Sequence, residues 1–116
     1  MRVLVCGGRY YRDAKKVDRT LDAINNESPA VSVIIHGNAA GADTLADNWA
    51  FKRCKPVLPF PANWKAYGRS AGAKRNKQML REGKPDLVVA FPGGNGTANM
   101  VAIARAAGIT VIEVER

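Results

Sequence analysis

Asp86-Leu87-Val88-Val89-Ala90, followed directly by Phe91-Pro92-Gly93-Gly94-Asn95-Gly96-Thr97, is the stretch whose reading decides the fold. The apolar run predicts a strand over 87–90, buried on both faces. The alanine-rich segment 98–107 predicts a helix. Three glycines within four residues therefore stand at a strand-to-helix junction. Without Cβ atoms, such a loop lets backbone N–H groups turn toward an anion. The helix start adds unpaired N–H groups and a partial positive charge. Thr97 either caps that helix or offers its hydroxyl to a phosphate. A phosphate or ribose-phosphate cradle built from Pro92, Gly93, Gly94, Gly96 and Thr97 is one reading. A tight turn whose glycines only relieve crowding is the other.

Outward from this stretch, strand-like and helix-like runs alternate. Residues 2–6 predict a first strand, then a loop through Gly7-Gly8-Arg9 to Asp13. Asp13 suits the N-cap of a helix reaching about residue 26, with Val17, Leu21 and Ile24 at helical spacing. A β-branched second strand over 31–35 leads into His36-Gly37-Asn38-Ala39-Ala40-Gly41. A helix over 42–53 follows, then a short strand over 56–60 whose two prolines suit a sheet edge. Residues 61–71 form one long loop carrying Trp64, Tyr67, Gly68 and Arg69. A helix over 73–82 stops at Gly83, and 110–114 is the fifth strand.

The order βαβαβαβαβ with short connections predicts a single three-layer, Rossmann-like α/β domain over 1–116: a parallel sheet of about five strands with helices on both faces. In such sheets ligands bind at the carboxyl ends of the strands, where strand order reverses. With the order 3-2-1-4-5, Gly7-Gly8-Arg9 and the 92–97 loop face each other across one crevice, with 36–41 beside them. That convergence favours the cradle over the plain turn.

Composition narrows the class. At 116 residues the chain is long enough for one core without staples, and 47% hydrophobic with 24% charged residues is ordinary for a globular protein. No apolar run approaches the roughly 20 residues that span a bilayer, so no membrane partner is expected, nor does the start read as a secretory leader. Cys6 and Cys54 lack metal-ligand spacing; Cys6, ending a strand, reads as a small core thiol, and a reducing cytoplasm suits both. The formal charge of +8 attracts polyanions as well as single nucleotides. Its lysines and arginines are spread along the chain rather than gathered in an arm, which ranks nucleic acid below a small nucleotide as partner.

Several familiar sites are excluded. The first loop lacks Gly-x-Gly-x-x-Gly, no acidic residue closes the second strand, and no Gly-x-x-x-x-Gly-Lys-Ser/Thr loop exists. Neither a metal site nor a nucleophile–His–acid set is recognisable, and no cofactor is expected. His36 reads as a loop residue bonded to its neighbours. Asp43 reads as a helix cap or as an acceptor for ribose hydroxyls; Arg75 and Asn76 open a helix at the crevice mouth.

Five pieces together carry a resemblance: Val5-Cys6-Gly7-Gly8-Arg9, the run Ile35 to Asp43, Pro61-Ala62-Asn63-Trp64, the run Ala71 to Met79, and Pro92-Gly93-Gly94-Asn95-Gly96-Thr97. On these the chain resembles the YspA/cpYpsA-related branch of the SLOG superfamily, Rossmann-like proteins related to Smf/DprA and to the LOG phosphoribohydrolases. The resemblance implies a site for a nucleotide or a nucleotide-derived, even NAD-derived, ligand, held for sensing or sequestration. Gly7, Gly8, Arg9, Gly37, Asn38, Gly41, Asp43, Trp64, Arg75, Asn76, Pro92, Gly93, Gly94, Gly96 and Thr97 are its candidate residues. Trp64 or Tyr67 would stack on a base, and Asn38 or Asp43 would meet ribose hydroxyls. LOG enzymes cleave the N-glycosidic bond of nucleoside monophosphates with a glutamate from Pro-Gly-Gly-x-Gly-Thr-x-x-Glu and an arginine. Arg75 matches the arginine, but Met100 stands at the glutamate position. Hydrolysis by Arg75, with Asp43 as substitute acid, is thus the alternative function, and Smf/DprA-like single-stranded DNA binding a second. Resemblance to LOG proteins also implies a homodimer.

Overall fold

A computed structural model describes residues 1–115. Five strands, β1 (Arg2–Cys6), β2 (Val33–His36), β3 (Val57–Pro59), β4 (Leu87–Ala90) and β5 (Thr110–Glu113), pair in parallel in the expected order β3-β2-β1-β4-β5. The register sets Leu4 beside both Ile35 and Val88, so successive residues of the central strands face opposite layers. Val3, Val5, Ile34, Leu87 and Val89 face one core, packed by α1 (Ala14–Asn25) and α2 (Ala42–Lys52). Leu4, Cys6, Ile35, Val88 and Ala90 face the other, covered by α5 (Asn95–Ala106) and the turn after α4 (Ala71–Gln78). Burial on both sides is why these strands read as unbroken apolar runs rather than alternating ones.

Asp13 caps α1 as its position suggested, its carboxylate accepting from Lys16 N at 3.0 Å. α1 and α2 are clamped through Asp22. It accepts from the indole N–H of the fully buried Trp49 (2.9 Å) and from Arg53 Nε and Nη2 (3.0 and 2.8 Å). The Arg53 bond first, then that of Trp49, holds the Asp22 carboxyl below its usual range.

Four sequence expectations need correction. The 61–71 loop is not irregular: it holds a short helix α3 (Trp64–Tyr67), capped by Asn63 accepting from Ala66 N (3.0 Å), and a 3-10 turn at Gly68–Ser70. α4 starts at Ala71 rather than residue 73 and passes into a π-type turn, Met79–Gly83. The stop after it is Lys84, left-handed at φ 48°; Gly83 is instead buried where a Cβ would lie 3.2 Å from Ile35. α5 begins at Asn95 with Gly94 as N-cap, so Thr97 sits inside the first turn and does not cap it.

Candidate functional site

β1, β2 and β4 end side by side, and the loops after them enclose a cleft of about 1100 Å³. Strand order reverses here, between β1 and β4. Gly7, Gly8 and Arg9 line it from the first loop, Gly37, Asn38 and Asp43 from the second, and Pro92, Gly93, Gly94, Gly96 and Thr97 from the fourth. Trp64, Arg75 and Asn76 close it from α3 and α4. Gly41 is the exception among the expected residues. At φ 79° it is packed beneath the first loop, where a Cβ would come within 2.6 Å of the Arg9 backbone, and it does not line the cleft.

The cleft glycines divide by what surrounds them. A Cβ on Gly7 would meet Ala42 Cβ at 2.6 Å, one on Gly8 Pro92 O at 3.0 Å, and one on Gly93 Gly8 N at 2.7 Å. These three let the first and fourth loops touch, joined by Gly8 N donating to Pro92 O (2.9 Å). A Cβ on Gly37 would overlap the guanidinium of Arg75, 2.6 Å from Cζ. Gly94 and Gly96 are different: a Cβ on either meets nothing within 4 Å, and neither has a positive φ. Packing requires no glycine at these two positions. They sit at the start of a 12-residue helix whose first N–H groups have no helical partner.

Asp43 neither caps α2 nor faces freely into the cleft. Its Oδ2 accepts from Gly37 N (3.0 Å) and Ala39 N (3.2 Å), holding the second loop in shape. Burial pushes its carboxyl up, opposed by the Ala39 N–H, Arg75 and the Gly37 N–H. His36, almost fully buried, is bonded at both ring nitrogens: Nδ1 accepts from Asn38 N (2.9 Å), so Nε2 carries the proton and donates to Asp47 Oδ2 (2.7 Å). His36 thus closes β2 rather than lying in the loop, and it bonds the loop at Asn38 on one side and Asp47 of α2 on the other.

Arg75 donates from Nη1 to Gly37 O (2.5 Å) and from Nε to Asn76 Oδ1 (3.1 Å). Burial lowers its proton affinity, with Asp43 acting the other way, yet a guanidinium stays charged at any physiological pH. Asn76, buried where Arg75 is only half-buried, donates to Gly96 O (3.1 Å) and to Asn99 Oδ1 (3.0 Å). It thus ties α4 to the first turn of α5 and positions the glycine loop, a bridge that the sequence alone did not suggest.

At the mouth, the Arg9 guanidinium lies over the Trp64 ring at 5.7 Å. An exposed contact of this kind contributes about 0.5–1 kcal/mol. Tyr67 turns away, covered by Lys74 at 5.1 Å, and lines a separate small groove. Tyr10, Tyr11, Arg12 and Asp13 also line the cleft and were not anticipated; their signal was their place directly after Gly7-Gly8-Arg9. Tyr11 packs on Phe91 (5.4 Å between ring centroids), and Arg12 joins Arg9 among the cations that line the cleft. Met100 is fully buried in the core beneath α5 and offers the cleft no polar atom. Among the described residues, no group of three His, Cys, Asp or Glu side chains could hold a metal ion.

Comparison with known proteins agrees with this architecture. The profile of the YspA, cpYpsA-related SLOG family matches residues 1–67, the portion carrying the first two loops. The chain is similar to the Gene 61 protein of Mycobacterium phage D29, 39% identical over 118 residues that span 96% of this chain and 94% of that protein. In fold it is similar to DNA processing protein A (DprA) from Streptococcus pneumoniae, with TM-score 0.78 and 18% identity, covering 99% of this chain and 50% of that one. It is also similar to UDP-GlcNAc 2-epimerase from Neisseria meningitidis, solved bound to UDP-GlcNAc, with TM-score 0.64, 18% identity and coverage of 99% and 32%. The chain therefore spans about half of one solved structure and a third of the other.

Proposed function

The chain belongs to the YspA, cpYpsA-related SLOG family, and on that premise we propose that it binds a nucleotide or nucleotide-derived molecule, including NAD-derived ones, in the cleft at its strand ends. The observation that carries this is the pair Gly94 and Gly96, where packing demands no glycine yet the cleft has an open floor. Backbone approach by a phosphate explains what packing does not. The N–H groups at the start of α5 and the Thr97 hydroxyl take the phosphate oxygens. Arg75 and Arg9 add charge-assisted bonds. Asn38 reaches ribose hydroxyls, and the volume suits a molecule of nucleotide size or larger. The epimerase of similar fold holds a nucleotide sugar, in keeping with this use of the architecture.

Sensing or sequestration fits better than turnover. Met100 is buried, and Asp43 is engaged by two backbone N–H groups, so neither serves readily as a general acid. A screen of thermal stability against nucleoside monophosphates, ADP-ribose and cyclic nucleotides tests the reading. At least one should raise Tm, by mass action on the folded state. Analysis of the same mixtures should find no free base. No shift with any of them would sink it.

The net charge of +8 and the likeness in fold to a DNA processing protein favour a second reading, single-stranded DNA binding. It predicts affinity for oligonucleotides that falls steeply with salt.

A further inference from the structure

We propose that Arg9 and Trp64 form a latch across the mouth of the cleft: a bound phosphate draws Arg9 off the indole, and the base of the same nucleotide then takes its place on the ring. This rests on the nucleotide reading above and narrows it to ligands carrying a planar base and a phosphate on one molecule.

The two residues come from different parts of the chain, the loop after β1 and α3. Arg9 follows Gly8, whose N–H is bonded to Pro92 O, so its guanidinium is rooted one residue from the glycine loop yet reaches out to Trp64. Trp64 comes from α3, and none of residues 64–70 is buried. The ring has its own support: a Cβ on Gly72 of α4 would lie 3.4 Å from Trp64 Cη2, so the indole lies close against α4 at a position without a side chain. Trp64 is therefore a supported aromatic platform facing a cleft, with a cation over its ring. That cation is the group with most to gain by turning inward. A phosphate on the first turn of α5 offers Arg9 a charge-assisted, bidentate partner in place of a weak cation–π contact. Once the guanidinium leaves, the exposed indole face suits a nucleobase, since every base has a π face to stack. Arg75 makes no such swing: half-buried and already bonded to Gly37 O and Asn76 Oδ1, it would meet the phosphate from where it stands.

The exchange has a two-directional signature. The chain has two tryptophans; Trp49 is fully buried, while Trp64 is 48% exposed, so acrylamide quenching reports on Trp64. Ribose 5-phosphate should free the ring and increase quenching; AMP should cover it and decrease quenching. Arg9→Ala should raise quenching with no ligand added. Trp64→Leu should weaken AMP binding by roughly tenfold or more, the loss of one base stack, while ribose 5-phosphate, no longer having to draw Arg9 off a ring, should bind at least as tightly as to wild type. The latch is overturned if AMP binds by calorimetry while Trp64 quenching stays the same, or if Arg9→Ala leaves quenching unaltered. Failure of ribose 5-phosphate, ADP-ribose and every nucleoside monophosphate and cyclic nucleotide to bind would remove the nucleotide reading itself, whatever Arg9→Ala does.

Discussion

Gly96 occupies the second position of α5, with nothing near enough to be displaced by a methyl group. Alanine there should stabilise the fold by about 0.5 kcal/mol, since glycine spends more conformational entropy in a helix. Chemical denaturation of Gly96→Ala checks this. Gly93→Ala should do the opposite, because its Cβ would lie 2.7 Å from Gly8 N. Both residues belong to one motif in the sequence, and nothing in the letters distinguishes them. Only the neighbours that folding brings to Gly93 separate a packing glycine from an open one. Asp43 is similar: its position at a helix start suggested a cap, whereas its carboxylate turns back to the loop before it. Asp43→Ala leaves the Gly37 and Ala39 N–H groups without their acceptor and should cost about 1–3 kcal/mol; Asp43→Asn keeps an acceptor and should cost far less. The raised carboxyl gives the pH dependence a sign. The native state holds this proton more tightly than the unfolded chain, whose value is near 3.8. The Asp43 contribution therefore declines as pH rises from there through the higher native value, a decline Asp43→Asn should abolish. Cys6 reads as a core thiol in the sequence and is one: burial, the largest cause, pushes it up to about 12. Thiol labelling at neutral pH should modify Cys54, which is exposed, and reach Cys6 only after unfolding.

At the scale of elements, the α1–α2 clamp is the clearest target. Asp22→Ala strips the acceptor from the buried Trp49 indole as well as the partner from Arg53, and should cost about 1–3 kcal/mol. Its lowered carboxyl works in the usual acid direction: the contribution is present above the ordinary value of 3.8 and lost as pH falls through the native one. Urea melts at pH 7 and pH 3 on wild type and Asp22→Asn should show the wild-type advantage shrinking at low pH. β1 and β4 were legible to the residue, because each is a short apolar run that leads directly into a glycine-rich loop. α3 was not. Four exposed residues show no apolar periodicity, and the turn depends on the Asn63 cap and on cation–π contacts from Arg9 and Lys74. The early start of α5 escaped for a related reason. Glycine and asparagine read as loop formers, yet Asn76 reaches across from α4 to bond Gly96 O and Asn99.

For the whole molecule, the alternation of strands and helices was enough to give a parallel, doubly wound sheet; the order supposed for it is the observed one, and it brings two glycine loops to one crevice. Chemistry was less legible than topology: where Arg75 points depends on a contact with Gly37, 38 positions away, and where Asp43 points depends on how the loop before it folds back. Arg9, Arg12 and Arg75, all lining the cleft, give it a positive field that favours anions of any size. Salt separates the candidates: binding of a mononucleotide through one phosphate should weaken modestly between low and physiological ionic strength, whereas an oligonucleotide spanning many phosphates should lose orders of magnitude. The most direct test of the central claim is calorimetric titration of wild type and Gly96→Ala with AMP and ADP-ribose, after confirming that the variant is folded. The account predicts that wild type binds at least one of them with a 1:1 stoichiometry, and that the methyl group at position 96 weakens it by roughly tenfold or more while the fold becomes more stable. Equal binding by the two proteins, or no binding by wild type, would contradict it.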